Sequence, residues 1–75
     1  MLKITTRNSS YYVDTRKKVY KRENHTKGIL EGDGNWLHYL SISEPKVGDC
    51  LEIIWEHKGR MIRRSTSMVT QIENI

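Results

Sequence analysis

Apolar side chains recur at every second residue in several short segments, and this alternation constrains the fold more than any other feature of the sequence. Leu2 and Ile4 alternate with polar neighbours, and Leu51, Ile53 and Trp55 alternate in the most apolar run. No window carries an apolar stripe with the 3.6-residue period of an amphipathic helix. Because a period of two places neighbouring side chains on opposite faces, these segments are predicted to form β-strands with one buried face.

Turn-forming residues separate the segments at intervals of about 8–12 residues, which is typical of small barrels and sandwiches. The predicted turns and loops are residues 7–10, 14–17, 23–35, 43–49 and 56–59. In the last of these, Gly59 supplies the left-handed conformation of a tight hairpin. The 75 residues have room for one domain. We therefore predict a single all-β domain over residues 1–75, a small, strongly bent barrel of about six short antiparallel strands, SH3-like or OB-like in size.

Within the polar stretch 23–35, two features are predicted to be ordered. Residues 32–35 have the Gly and Asn chemistry of a turn, and Ile29 and Leu30 form either a short strand or an anchor of the loop on the core. Residues 36–42 are predicted to form one strand, and residues 60–65 and 67–72 two more.

Composition and cysteine usage exclude several classes of protein. No apolar run approaches the roughly 20 residues that a membrane-spanning helix needs. A single cysteine, Cys50, excludes an intrachain disulfide, and its place at the start of the most apolar strand predicts a buried thiol. The N-terminal residues lack an apolar signal segment, so the expected location is the cytoplasm.

The residues that usually carry catalysis or bind metal are scattered. His25, His38 and His57 lie on three different segments, without the spacing of metal ligands or of a catalytic triad. The glycines form no phosphate-binding motif that opens a helix. The sequence therefore predicts a protein that is not an enzyme and that has no cofactor and no bound metal.

Charge is the strongest indication of function. Thirteen Lys and Arg residues against nine Asp and Glu residues give a net charge of +4, and the charges alternate along the chain as a basic, an acidic and a second basic segment. Small barrels bind single strands with cations that follow the phosphates and aromatic rings that stack on bases. The residues predicted to bind nucleic acid or another polyanion are Arg16, Lys17, Lys18, Lys21, Arg22, Arg60, Arg63, Arg64 and Tyr20. Neighbouring strand residues face opposite ways, so only one of Arg63 and Arg64 is expected to join this surface.

Two alternatives stay open at this point. Tyr20 and Trp36 are equally explained as core residues, in which case the cations form only a solvated surface. The acidic segment 44–56 favours a different function, in which the chain forms a homo-oligomer and the acidic strand, with Glu52 and Glu56, is a contact surface for another protein.

Several short elements resemble those of a known group of proteins. They are residues 4–6, residues 12–14, the Pro-Lys-Val-Gly segment 45–48, residues 51–53 and the Thr/Ser-rich segment 65–72. In this order they are similar to small uncharacterised β-rich proteins encoded by actinobacteria and their bacteriophages, in which proline often stands where this chain has Met68. The resemblance implies a small protein in the cytoplasm of an infected or lysogenic host, with a regulatory or antagonistic role. For the alternative function, it implies an oligomeric interaction protein that blocks or titrates a host factor. It implies no catalytic residues.

Overall fold

Residues 1–24 and 34–75 are described by a computed structural model, and all regular structure in these two ranges is β-strand. The strands are β1 (Leu2–Thr6), β2 (Ser9–Asp14), β3 (Val19–Asn24), β4 (Leu37–His38), β5 (Ser41–Ile42), β6 (Cys50–His57) and β7 (Arg60–Asn74). The predicted features at His25, Ile29–Leu30 and Gly32–Asp33 lie outside the described residues. The prediction of an all-β fold with short antiparallel strands is confirmed.

The strands form one antiparallel sheet in the order β4-β3-β2-β1-β7-β6-β5, which curls strongly into a half-barrel. The 15-residue strand β7 makes this curl possible, because it pairs with β6 along its first part and with β1 along its last part. The two outer strands β4 and β5 are separated by only two residues. Tyr39 N donates to Lys18 O at 3.0 Å and Leu40 N donates to Ile54 O at 2.7 Å, so this short segment is hydrogen-bonded to both ends of the sheet.

Alternation along each strand fills the inner face of the half-barrel. We call the face that carries Ile4, Val13 and Tyr20 the inner face, and the opposite one the outer face. The buried core consists of Ile4, Tyr11, Val13, Tyr20, Tyr39, Leu51, Ile53, Trp55 and Val69. Tyr20 has no exposed surface, and its ring centre lies 6.5 Å from that of Tyr11 and 6.4 Å from that of Tyr39. This aromatic cluster therefore joins β2 and β3 to the segment that links β4 and β5.

The tight hairpin between β6 and β7 is confirmed. Lys58 and Gly59 both have positive φ angles, 52° and 77°, and His57 pairs with Arg60 across them. Two residues with positive φ are what a two-residue turn between twisted antiparallel strands requires.

Four expectations about individual segments were wrong. The predicted turn at residues 7–10 is shorter, because Ser9 and Ser10 already pair within β2. Residues 36–42 form two strands, because Tyr39 turns into the core where the chain crosses from β3 to β6. Residues 60–74 form one strand, with irregular pairing where β7 passes from β6 to β1. Cys50 is exposed, since a strand that directs Leu51 inward must direct its neighbour outward.

Candidate nucleic-acid interface

The outer face of β1, β2 and β3 carries one row of cations and an aromatic ring in direct cross-strand register. Lys3 lies opposite Tyr12, and Tyr12 lies opposite Lys21. Side chains of directly opposed residues share a face and lie within about 5.5 Å of each other at their Cβ atoms. The two lysines therefore flank the Tyr12 ring.

Trp36, immediately before β4, extends this row. The Lys21 Nζ atom lies 5.3 Å from the centre of the Tyr12 ring and 5.2 Å from the centre of the Trp36 ring, while Lys3 Nζ lies 5.9 Å from Tyr12. These distances are within the range of cation–π attraction. Trp36 is 46% exposed and Tyr12 is half-buried, so both rings present area to solvent. We call Lys3, Tyr12, Lys21 and Trp36 the cation–aromatic row.

A rigid turn places three more cations at the end of this row. Asp14 ends β2, and its Oδ1 accepts hydrogen bonds from Arg16 N at 3.0 Å and from Lys17 N at 3.1 Å, an arrangement typical of a carboxylate that begins a turn. Lys18 takes a left-handed φ of 53° to enter β3. We call Arg16, Lys17 and Lys18 the basic turn. All three side chains are exposed, and none makes an ion pair with another described residue.

The same hydrogen bonds lower the pKa of Asp14 below its ordinary value, chiefly through the bond from the Lys17 backbone. A carboxyl group with a lowered folded-state pKa stabilises the fold above its ordinary pKa of about 4. That stabilisation is lost as the pH falls through the lowered value. Asp14 also acts on Tyr39, whose pKa is raised, first by burial and second by this nearby negative charge.

We expect Asp14→Asn to remove part of the acid sensitivity of the protein. Asparagine keeps an oxygen that can accept the two backbone hydrogen bonds, but it does not titrate. Urea unfolding followed between about pH 6 and pH 2 should therefore show a smaller loss of stability for the variant than for the native chain. Identical pH profiles for the two proteins would contradict a stabilising role of the ionised carboxylate.

An open groove separates the basic turn from the row. It is lined by Met1, Asp14, Lys17, Val19 and Trp36, and it measures about 360 Å³. One wall is thus an exposed indole and another is a lysine of the basic turn. A planar ring in this groove would contact Trp36 with Lys17 close to its substituents.

Two acidic residues lie beside the two lysines of the row and formally balance them, so the net positive charge of this surface comes from the basic turn. Glu23 lies 3.8 Å from Lys21 Nζ, and Glu73 of β7 lies opposite Lys3. Surface ion pairs of this kind are weak, about 0–1 kcal/mol, so they compete little with a polyanion. The basic turn has no such acidic neighbour among the described residues apart from Asp14, whose oxygen is engaged by backbone amides.

Two residues predicted for this interface face the wrong way. Tyr20 is fully buried between Tyr11 and Tyr39 and has no surface on which a base could stack, so its predicted contact with nucleic acid was wrong. Arg22 lies on the face of β3 opposite to Lys21, where its Nε donates to the Tyr11 hydroxyl at 3.2 Å. Alternation explains both positions, because Tyr20 and Arg22 share the inner parity of β3.

The second basic segment does not join this surface. Arg60, Arg63 and Arg64 lie in the part of β7 that precedes its pairing with β1, and β1 and β2 separate β7 from β3 in the sheet. As expected, Arg63 and Arg64 face opposite ways. The Arg64 guanidinium carbon lies 5.7 Å from the centre of the inner-facing Trp55 ring, whereas Arg63 lines a shallow surface depression with Ile54, Met61 and Ile62.

Sequence reasoning missed Lys3 as a member of the site. Its position between Leu2 and Ile4 shows that it faces outward, but not that Tyr12 lies beside it. That neighbour is set by the register of β1 on β2.

Comparison with models of protein families, with curated proteins and with solved structures found no match for this chain. The similarity to actinobacterial and phage proteins stays a prediction. The described residues include no helix of the length and apolar character that crossing a membrane would require.

Proposed function

We propose that this protein is a non-catalytic domain that binds single-stranded nucleic acid through the cation–aromatic row and the basic turn. The observation that carries the proposal is the Lys21 ammonium group, which lies about 5 Å from the centres of two solvent-accessible rings, Tyr12 and Trp36. Nucleic-acid-binding surfaces of small β-proteins combine the same two elements, rings that stack on bases and cations that meet phosphates.

The placement of the rings favours single strands over duplex. A base inside a duplex is already stacked, so a ring on a protein surface reaches it only after unstacking. Bases of a single strand can lie directly on Trp36 and Tyr12. Their phosphates would then follow Lys3, Lys21 and the exposed cations of the basic turn.

The charge on another part of the surface also favours nucleic-acid binding at the outer face of β1–β3. A separate surface between β5 and β6 is lined by three acidic residues and one lysine, which are Glu44, Asp49, Glu52 and Lys46. A polyanion is repelled from that side and attracted to the outer face of β1–β3. Four further expectations remain predictions: a cytoplasmic location, a phage origin, a homo-oligomer and a host-protein partner.

A salt titration tests the proposal directly. A fluorescently labelled 12-nucleotide single strand is titrated with the full chain, and anisotropy is measured at several salt concentrations. If three or four phosphates are neutralised, log affinity should fall against log salt with a slope of roughly −2 to −3. The matching duplex should bind about tenfold more weakly, because it offers no unstacked base. Absence of binding at low salt, or affinity independent of salt, would refute the proposal.

A further inference from the structure

The hairpin formed by β6 and β7 leaves one strand edge without a described neighbour. Strand β1 pairs with β7 only between Val69 and Asn74, and Arg7 N donates to Met68 O just before this stretch. Residues 60–66 pair with β6 on their other side. Within residues 1–24 and 34–75, no strand pairs with residues 60–66 on the side away from β6. We call this side of residues 60–66 the β7 edge. Such an edge is a template for one more strand.

The charge of the β7 edge selects the partner. Residues 60–68 contain three arginines and no acidic residue, and none of these arginines forms an ion pair with a described residue. Opposite charges on directly facing strand residues attract, whereas like charges repel. A two-fold pairing of this edge with a second copy, centred on Ile62, would set Arg60 against Arg64. Self-association here is therefore opposed, and an acidic strand is favoured.

Arg64 has donor capacity that the described residues do not use. Its Nη1 atom is buried and has no hydrogen-bond acceptor within residues 1–24 and 34–75, whereas the residue as a whole is half-buried. A guanidinium group carries five N–H donors in a planar fork that matches a carboxylate. A carboxylate on a strand beside β7 would be attracted by the charge of this guanidinium group.

The order of side chains along the β7 edge predicts which positions of a partner strand should be acidic and which apolar. Arg60, Ile62 and Arg64 share one face, and Met61 and Arg63 lie on the other. Met61 is 71% exposed and borders the shallow depression that Ile54 and Ile62 also line. An antiparallel partner strand would therefore place acidic residues opposite the three arginines and apolar residues opposite Met61 and Ile62.

We propose that the β7 edge binds an extended acidic segment of a partner protein by β-strand addition. Nucleic acid fits this edge less well, because the aromatic ring beside Arg64, Trp55, is only 7% exposed and offers little stacking surface. An unpaired backbone edge is matched by a peptide backbone and not by phosphates.

The test uses a peptide that carries this pattern, Thr-Glu-Glu-Val-Val-Glu-Thr, capped at both ends. The protein is the full chain with Trp36→Phe, which leaves Trp55, beside Arg64, as the only tryptophan. Peptide addition should change the Trp55 fluorescence, and amide hydrogen exchange in residues 60–66 should slow by at least about tenfold. A control peptide of the same composition, Thr-Val-Val-Thr-Glu-Glu-Glu, should bind at least about tenfold more weakly because its acids are out of register.

Matched charge-reversal variants distinguish peptide binding at the β7 edge from oligonucleotide binding at the outer face of β1–β3. Arg60→Glu with Arg63→Glu changes two exposed residues and should weaken peptide binding at least tenfold, with oligonucleotide binding unchanged within about twofold. Arg16→Glu with Lys17→Glu should weaken oligonucleotide binding and leave peptide binding unchanged within about twofold. Equal binding of the two peptides, or unchanged exchange in residues 60–66 of the native chain, would overturn the proposal. The proposal would also be overturned if charge reversal of Arg60 and Arg63 weakened oligonucleotide binding as much as charge reversal of Arg16 and Lys17 does.

Discussion

Replacing Trp36 with alanine is expected to weaken single-strand binding by roughly 10- to 100-fold. Stacking of a base on an aromatic side chain contributes about 1–3 kcal/mol, and Trp36 offers the most exposed ring of the cation–aromatic row. The same substitution removes one of the two rings near Lys21 Nζ and one wall of the groove beside the basic turn. Both losses act on binding, and the effect should be measured by anisotropy with the labelled 12-nucleotide strand.

Folding should be almost unaffected by this change, because nearly half of the Trp36 side chain is already in water. Urea unfolding of Trp36→Ala should agree with that of the native chain within about 1 kcal/mol. Trp36→Phe keeps a ring and should retain most of the affinity. Met61→Ala, which removes an even more exposed apolar side chain from the hairpin, is the matched control and should leave oligonucleotide binding intact. If Trp36→Ala binds as well as the native chain, bases do not stack on this surface.

Tyr20→Ala is expected to have the largest effect on stability, about 3–5 kcal/mol. The side chain is fully buried and contacts the rings of Tyr11 and Tyr39, so its removal leaves a cavity where β2, β3 and the segment between β4 and β5 meet. A domain of this size has a total stability of only roughly 4–11 kcal/mol. The substitution should therefore remove a large part of the total free energy of unfolding.

Tyr12→Ala is the control for this substitution. Tyr12 is the neighbour of Tyr11 in the same strand, but it lies on the outer face and is half-buried. Its loss should cost no more than about 1 kcal/mol, while it should weaken oligonucleotide binding. Circular dichroism and urea unfolding of the two variants distinguish the faces of β2 and β3. Equal destabilisation by both substitutions would contradict the assignment of the inner face.

The alternation of apolar residues was enough to predict the all-β class. It also identified the inward positions Leu51, Ile53 and Trp55 and the hairpin at Gly59, because these depend on local periodicity and on turn chemistry. Two of the wrong expectations, those for Cys50 and Tyr20, have the same origin. Cys50 and Tyr20 were interpreted from residue type, whereas strand parity decides which side of the sheet each occupies.

Part of the candidate site was also accessible from the sequence. The basic residues 16–18 and the role of Asp14 in their turn follow from neighbours within four positions. The pairing of Lys3 with Tyr12 and the approach of Lys21 to Trp36 do not, because each joins residues on different strands. A shift of one residue in register would place Tyr12 beside the core partners of Tyr11.

The sequence by itself determined that the chain forms short strands and tight turns, and that its positive charges fall into two segments. Periodicity and turn propensity act over a few bonds, so no distant residue is needed to establish them. Only the tertiary structure decided that Lys21 faces outward while Arg22 faces Tyr11, that Trp36 stays at the surface while Tyr20 is buried, and that residues 60–66 of β7 present an edge without a described neighbour, away from the basic turn. These outcomes depend on register and on the curl of the sheet, which are set by packing between residues far apart in the chain.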